Sequence, residues 1–244
     1  MSQDLKEIYI WDIKYNLLSV DEIVAIVTGW LKEGRRGIHL TGVNAETITI
    51  AHKDNMLRDA ILDSDIVNVD SFLPAFFLKK KGYKIDRVAT PDVLEAFFRD
   101  ANDKFQKVYF LGAKQTTLDL LKGVIAKQYP NINIVGMHDG YYSSEQEELI
   151  ANEISQLSPD YLFIALPSPM KEKFILKYKK RLNVGVFYGV GGAFDAKAGV
   201  LKRPPKWLQG HGLEGAFRLV RTPKTMIKRI RLNFDFVRYA LRMK

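Results

Sequence analysis

The sequence predicts an α/β fold in which a mostly parallel sheet carries helices on both faces. Two observations predict it. Apolar β-forming runs alternate with amphipathic helical stretches along nearly the whole chain. The 244 residues are 47% hydrophobic, enough for one large domain with a buried core and too many for disorder.

The elements follow in order. "DEIVAIVTGWLKEG" has Ile23, Ile26, Val27, Trp30 and Leu31 at helical spacing and a glycine past its end. "GIHLTGVN" predicts a strand running into a loop. "AETITIAHKDNMLRDAILDS" predicts one helix, and "DIVNVD" a strand ending on Asp70. "SFLPAFFLKKKG" predicts a short helix, and "PDVLEAFFRDANDK" a helix with Pro91 in its first turn. The strands "KVYFLG", "INIVGM", "DYLFIAL" and "VGVFYGVG" then alternate with the helices "TTLDLLKGVIAKQY", "SSEQEELIANEISQL" and "MKEKFILKYKKRL". This Rossmann-like order places ligands at the carboxyl ends of the strands. Asp70, Gly112, Pro167 and Gly191 all fall just past such ends.

Charge divides the chain. Residues 201–244 hold 12 Lys or Arg against two acids, Glu214 and Asp235, whereas residues 1–200 hold 25 bases and 26 acids. Residues 1–200 therefore read as a neutral body and 201–244 as a basic appendage. Within the appendage Ile227, Ile230, Phe234, Val237 and Leu241 recur at spacings of three and four. Lys228, Arg231, Arg238 and Arg242 line a neighbouring stripe, while Phe236, Tyr239 and Met243 widen the apolar face. Such a helix can lie on an anionic membrane surface or pack its apolar face on the body. Nucleic acid is not the expected partner, because the charge is confined to this tail and no nucleic-acid module is present.

Other classes are excluded. The chain has no cysteine, so disulfides, thiol nucleophiles and cysteine metal sites are out. His39, His52, His138 and His211 show no metal-ligand spacing. The N-terminus "MSQDLKEIYIWDIKY" does not read as a signal peptide, and no stretch reaches the roughly 18–20 apolar residues of a membrane span. "DSD" at 63–65 matches a metal-binding pattern of sugar transferases but precedes its strand, at the wrong end for a ligand.

Several stretches can carry chemistry. "YFLGAKQTTLDLL" sets a glycine turn before a helix whose amides can hold phosphate, although it is neither a P-loop nor a GxGxxG. "VFYGVGGAFDAKAGVLKRPPKW" places Gly189, Gly191 and Gly192 where backbone can approach a ligand, then Asp195 and a basic run. "ALPSPMKEKFI" brings Lys171 and Glu172 to a strand end. Each also has a plain reading as a turn or a solvated first helical turn.

Together these stretches resemble the WecG/TagA/CpsF glycosyltransferases, glycosyltransferase family 26, from about Gly42 to Arg229. "GVGGAFDAKAGVLKRPPKWLQGHGLEGAFRLVRTPK" is similar to the family's glycine turn, "FD…AG", "R-A-P-x-W" and "GLEW…RL". "GMHDGYYSSEQEE" resembles its "GY" segment, "ALPSPMKEKFI" its "G-x-P-x-Q-E-x-W", "VNAE" its "N-x-E", "VNVDS" its "D-G" and "DRVATPDVLEAF" its "RV-x-G-x-D".

The resemblance implies an inverting transferase that moves a sugar from a UDP-sugar to a polyprenyl-diphosphate-linked saccharide. The product would be a cell-surface polysaccharide or a teichoic-acid-type polymer. No metal or other cofactor is expected. It implies Asp70 as catalytic base. Asn44, Glu46, Arg87, Lys171, Arg203, Arg218 and Arg221 would bind acceptor. Gly112, Gly140, Tyr141, Pro167, Glu172, Gly191, Gly192, Phe194 and Asp195 would bind donor. It also implies a cytoplasmic enzyme, peripheral at the inner face of the plasma membrane, and an oligomer of the body.

Departures from the family pattern are Ser71 for the Gly after the aspartate, Thr90 for the Gly of "RV-x-G" and Lys171 for a Gln. Gly215 stands for the Trp of "GLEW", and Thr222 for the Glu before the last Pro. Gly42 stands for the Thr two before the Asn. Lys171 adds a cation that would suit an anionic group on a substrate. The alternative is a catalytically silent relative that binds nucleotide-sugar or lipid-linked intermediate as an assembly partner.

Overall fold

The computed structural model describes residues 5–201 and 223–242. Its centre is a six-stranded parallel sheet built from β3 (Ile38–Val43), β4 (Ile66–Val69), β5 (Lys107–Gly112), β6 (Asn133–His138), β7 (Tyr161–Ala165) and β8 (Val186–Gly189). The spatial order is β4-β3-β8-β7-β5-β6, with every neighbouring pair parallel. The chain starts at β3, moves out to β4, crosses to β5 and β6, and returns through β7 to pair β8 with β3. The carboxyl ends of β3 and β8 thus lie side by side where the order reverses, the place where open α/β sheets form their crevice, with the end of the edge strand β4 beside β3.

All the sheet strands but the edge strand β6 are buried on both sides. On one face α1 (Val20–Lys32), α5 (Thr90–Asp103), α6 (Gln115–Gln128) and α9 (Ala193–Lys197) pack over Ile38, Leu40, Ile66, Phe110, Phe163 and Tyr188. The other face is covered in two parts. Helices α7 (Ser144–Leu157) and α8 (Met170–Tyr178) cover β5, β7 and β8. Over β3 and β4 lie α2 (Ala45–Ala51), α3 (Asn55–Leu62), α4 (Phe72–Lys80) and α10 (Pro223–Arg242). An antiparallel hairpin of β1 (Glu7–Ile10) and β2 (Ile13–Asn16) joins that second cluster through Trp11, Ile13 and Tyr15.

Three local outcomes go beyond the sequence reading. The single helix expected over 45–64 is two: α2 stops at Ala51, and Asp54 caps α3 by accepting from the Leu57 amide at 3.1 Å. The hairpin turns on Trp11 and Asp12, both left-handed at φ 55° and 56°, with no glycine to announce it. The third concerns α10. Among its described side chains, Phe236 and Ala240 are the ones it buries against the body, with Phe236 edge-on to Trp11 and Phe77 at 5.0 and 5.9 Å. Ile227, Ile230, Phe234 and Leu241 of the expected apolar stripe remain exposed, and Val237 turns partly inward.

Candidate active site

The carboxyl ends of the strands bring Asp70, Asn44 and the Gly191 turn to one rim. Asp70 follows β4 directly. Its amide donates to the Val43 carbonyl at 2.9 Å, which extends the β3–β4 ladder by one residue and fixes the backbone. The side chain is half-buried and does not cap the following helix α4, whose N-cap position belongs to Ser71. The Asp70 carboxylate instead accepts from the backbone amide of Thr90, the first residue of α5, at 2.5 Å. A helix N-terminus favours negative charge there. Arg87 Nε donates to the Asp70 carbonyl at 3.0 Å, so the residue is held from both its main chain and its side chain.

Asn44 stands at the neighbouring strand end, one residue past β3. Its side-chain oxygen accepts from the Thr47 amide at 2.9 Å and the Thr47 hydroxyl at 3.2 Å, which caps α2. Ser71 accepts from the Ala45 amide at 3.4 Å and ties the loop after β4 to the start of α2. Glu46, in the first turn of α2, pairs with Arg229 of α10 at 3.2 Å, and Thr49 donates to the Leu232 carbonyl at 3.0 Å. The C-terminal helix is therefore anchored on the helix that Asn44 caps.

At the end of β8, Gly191 is left-handed (φ +50°), and among the described residues neither it nor Gly192 has anything within 4 Å of where a side chain would start. Backbone is thus bare at this turn, as close approach of a ligand requires. Asp195 accepts from the Thr117 hydroxyl at 2.9 Å and links α9 to α6. Phe194 is fully buried edge-on to Phe110 at 5.3 Å, which makes it part of the core beneath the turn.

The β5, β6 and β7 ends are tightly packed. A side chain on Gly112 (φ +108°) would meet the Ala165 carbonyl at 2.7 Å, and one on Gly140 would meet Leu166 at 2.9 Å. Both glycines therefore serve backbone packing in this structure. Pro167 is exposed and its carbonyl accepts from the Met170 amide at 2.8 Å, which opens α8. Tyr141 is 73% exposed, next to an Asp139 side chain that accepts its amide. Lys171 and Glu172 are buried together. The ammonium rests on the Glu172 carboxylate and the Ser168 hydroxyl, and Ser168 donates to the same carboxylate at 2.8 Å. The Lys171 stem lies across the bare Cα of Gly189. Arg203, Arg218 and Arg221 lie outside the described residues.

Gly42, singled out in sequence only as a departure from the family pattern, and Tyr188, which sequence reading passed over, belong to this rim. Gly42 and Tyr188 line the floor beneath Asp70. Burial pushes the Tyr188 phenol far up, and the charges of Asp70 and Asp92 push the same way. Only the apolar character of "GIHLTGV" and "VFYGV" was visible in sequence, and it placed both residues in strands without showing which of them surround the carboxylate. A basic hollow bounded by Arg36, Lys179 and Lys180 opens at the opposite, amino ends of β3 and β8. Two of these cations are engaged, Arg36 by Asp160 and Lys179 by Asp63. Among the described residues no group of three His, Asp or Glu side chains is placed to hold a metal ion.

The profile of the "Glycosyl transferase WecG/TagA/CpsF family" matches residues 8–244. The chain belongs to this glycosyltransferase family. Within it, the chain is similar to the N-acetylglucosaminyldiphosphoundecaprenol N-acetyl-beta-D-mannosaminyltransferase of Bacillus subtilis (strain 168). The two are 34% identical over 191 residues, covering 77% of this chain and 73% of the relative. Family membership makes this a glycosyltransferase of cell-envelope polysaccharide synthesis. Among the described residues no helix is long and apolar enough to cross a membrane.

Proposed function

We propose that this family member is an inverting transferase. It moves a sugar from a UDP-sugar to a saccharide carried on a polyprenyl diphosphate, with Asp70 as the base and without a bound metal. The observation that carries the reading is the grip on Asp70: a half-buried carboxylate at the carboxyl end of the edge strand β4, held by the first amide of α5. The B. subtilis relative, by its name, acts on a diphosphoundecaprenol-linked acceptor, which supports the acceptor class.

In the proposed step the acceptor hydroxyl oxygen attacks the anomeric carbon while its proton passes to Asp70. The bond from that carbon to the diphosphate oxygen breaks, and its electron pair leaves with UDP. General-base assistance of this kind contributes about 10²–10⁴-fold. Charge growing on UDP needs cationic side chains and helix N-termini. Arg203, Arg218 and Arg221 are proposed for that task together with acceptor binding, and the bare turn at Gly191 and Gly192 for donor approach.

The test is UDP release with a polyprenyl-diphosphate-linked sugar, across a panel of UDP-sugars with EDTA present. Release with one donor, dependent on acceptor and reduced about 10²-fold or more by Asp70→Asn, is the expected result. Undiminished release by the variant removes Asp70 as the base. UDP binding without release from any donor moves the assignment to a silent binding relative.

A further inference from the structure

We infer that Thr90 is a positioning residue for Asp70, and that it can take this part because residue 42 has no side chain. The inference rests on the reading of Asp70 as base and deepens it. Thr90 opens α5, and its amide is the group that grips the Asp70 carboxylate. That first turn has no side-chain cap of its own, because the N-cap residue is Ala89. Something else has to hold the amide in place.

Part of the hold is main chain: the Val88 amide donates to the Val69 carbonyl at 2.9 Å, and Asn68 Nδ2 donates to the Val88 carbonyl at 2.7 Å. The rest is the Thr90 side chain, 7% exposed and turned onto β3. A Cβ on Gly42 would sit 2.4 Å from Thr90 Oγ1, 3.4 Å from Asn68 Nδ2 and 3.5 Å from Asp70 Cβ. Ordinary carbon contacts begin near ~3.5 Å, so the hydroxyl fills the volume of a missing strand side chain. Gly42 is not in the left-handed region, so space rather than backbone conformation is what calls for glycine here. The floor of the same seat holds Asn68 Oδ1 and Tyr188 Oη, both buried without a well-formed hydrogen bond, and the Thr90 side chain faces Tyr188.

One threonine side chain fills the gap between strand and helix, and it is delivered from the helix. Thr90 thereby keys the first turn of α5 against β3 and fixes the amide that orients Asp70.

The experiment is a double-mutant cycle on the full chain, with UDP release and thermal melting as readouts. Gly42→Ala should lower kcat about 10-fold or more with donor KM nearly unchanged, because it displaces the Thr90 hydroxyl and the amide behind it. Thr90→Ser should keep activity near the wild-type level. Adding Thr90→Ala to Gly42→Ala should recover activity, since the new methyl group then has room, whereas adding Thr90→Ser should not. A Gly42→Ala variant as active as wild type, or a double variant no better than Gly42→Ala, overturns the inference. A wild-type protein that transfers no sugar defeats the reading of Asp70 instead. The melting cycle then decides: Thr90→Ala must restore the melting temperature that Gly42→Ala lowers, and simple additivity overturns the keyed seat.

Discussion

His39 and Asp70 belong to the same strand pair and sit in opposite settings. Asp70 faces the rim and is held by an amide. His39 is fully buried beneath the other face, among Thr41 (3.0 Å from Nε2) and Ser64 (3.2 Å from Nδ1). Burial, then the nearby charges of Lys179, Lys171 and Lys14, pull its pKa down to about 3. The native imidazole therefore stays neutral while the unfolded one takes a proton near its ordinary ~6.5. Stability from this group is complete above that value and is lost as pH falls toward 3, at about 1.4 kcal/mol per pH unit. Between pH 6.5 and 5 urea unfolding should register a loss of about 2 kcal/mol, absent in His39→Asn. Parallel slopes for the two proteins would refute the assignment. Lys171 and Glu172 make a second buried pair, and Glu172→Ala should cost about 3–5 kcal/mol by leaving the ammonium without its partner. At this scale the sequence showed which residue types stand at strand ends. It did not show pairing: nothing in "SPMKEKF" says that the lysine turns back onto its own neighbour, because that depends on where Gly189 leaves room.

Elements were legible where periodicity is long, as in α1, α5 and α7, and less so where tertiary contacts set the boundary. The split between α2 and α3 falls at His52–Asp54, where a capping aspartate outweighs a continuous apolar pattern. The β1–β2 hairpin escaped notice because its turn uses Trp11 and Asp12 in a conformation normally left to glycine or asparagine. Trp11 is 1% exposed and packs on Tyr15 and Phe236, so burial offsets the backbone cost. Helix α10 depends on the same contact. Its ion pair, Arg229 with Glu46, is partly exposed and worth at most about 1 kcal/mol. Phe236 is fully buried, and its truncation to alanine in a packed core costs about 3–5 kcal/mol. Phe236→Ala should therefore release α10, seen as faster amide exchange across 223–242, while Arg229→Ala should leave exchange nearly unchanged. Equal protection in the two variants would mean that α10 is held by other contacts.

Across the whole molecule, docking one face of α10 determines what the other can do. The helix buries Phe236 and Ala240 and leaves Ile227, Ile230, Phe234 and Leu241 exposed, beside Arg231, Arg238 and Arg242. At about 100° per residue the exposed apolar stripe lies roughly a third of a turn from the buried one, with the three arginines along its free edge. The two uses weighed for this helix, packing on the body and lying on a membrane, thus fall on different faces and are compatible. The sequence pattern contained both stripes but could not assign them, because Phe236 and Phe234 are equally apolar and only the position of Trp11 distinguishes them. A docked helix that presents apolar residues and arginines together should bind anionic phosphatidylglycerol vesicles and ignore neutral phosphatidylcholine ones. Ile230→Glu with Phe234→Glu should abolish sedimentation with the vesicles while leaving the melting temperature unchanged, since neither residue is in the core. Raised salt should weaken binding of the wild-type protein, by screening the arginines. If the double variant still sediments with vesicles, or if wild type binds neutral vesicles equally well, the stripe is not the membrane contact. Loss of UDP release by this variant on acceptor held in vesicles, but not on a detergent-dispersed one, would place the function of the helix in bringing the Asp70 rim to the surface where its acceptor is held.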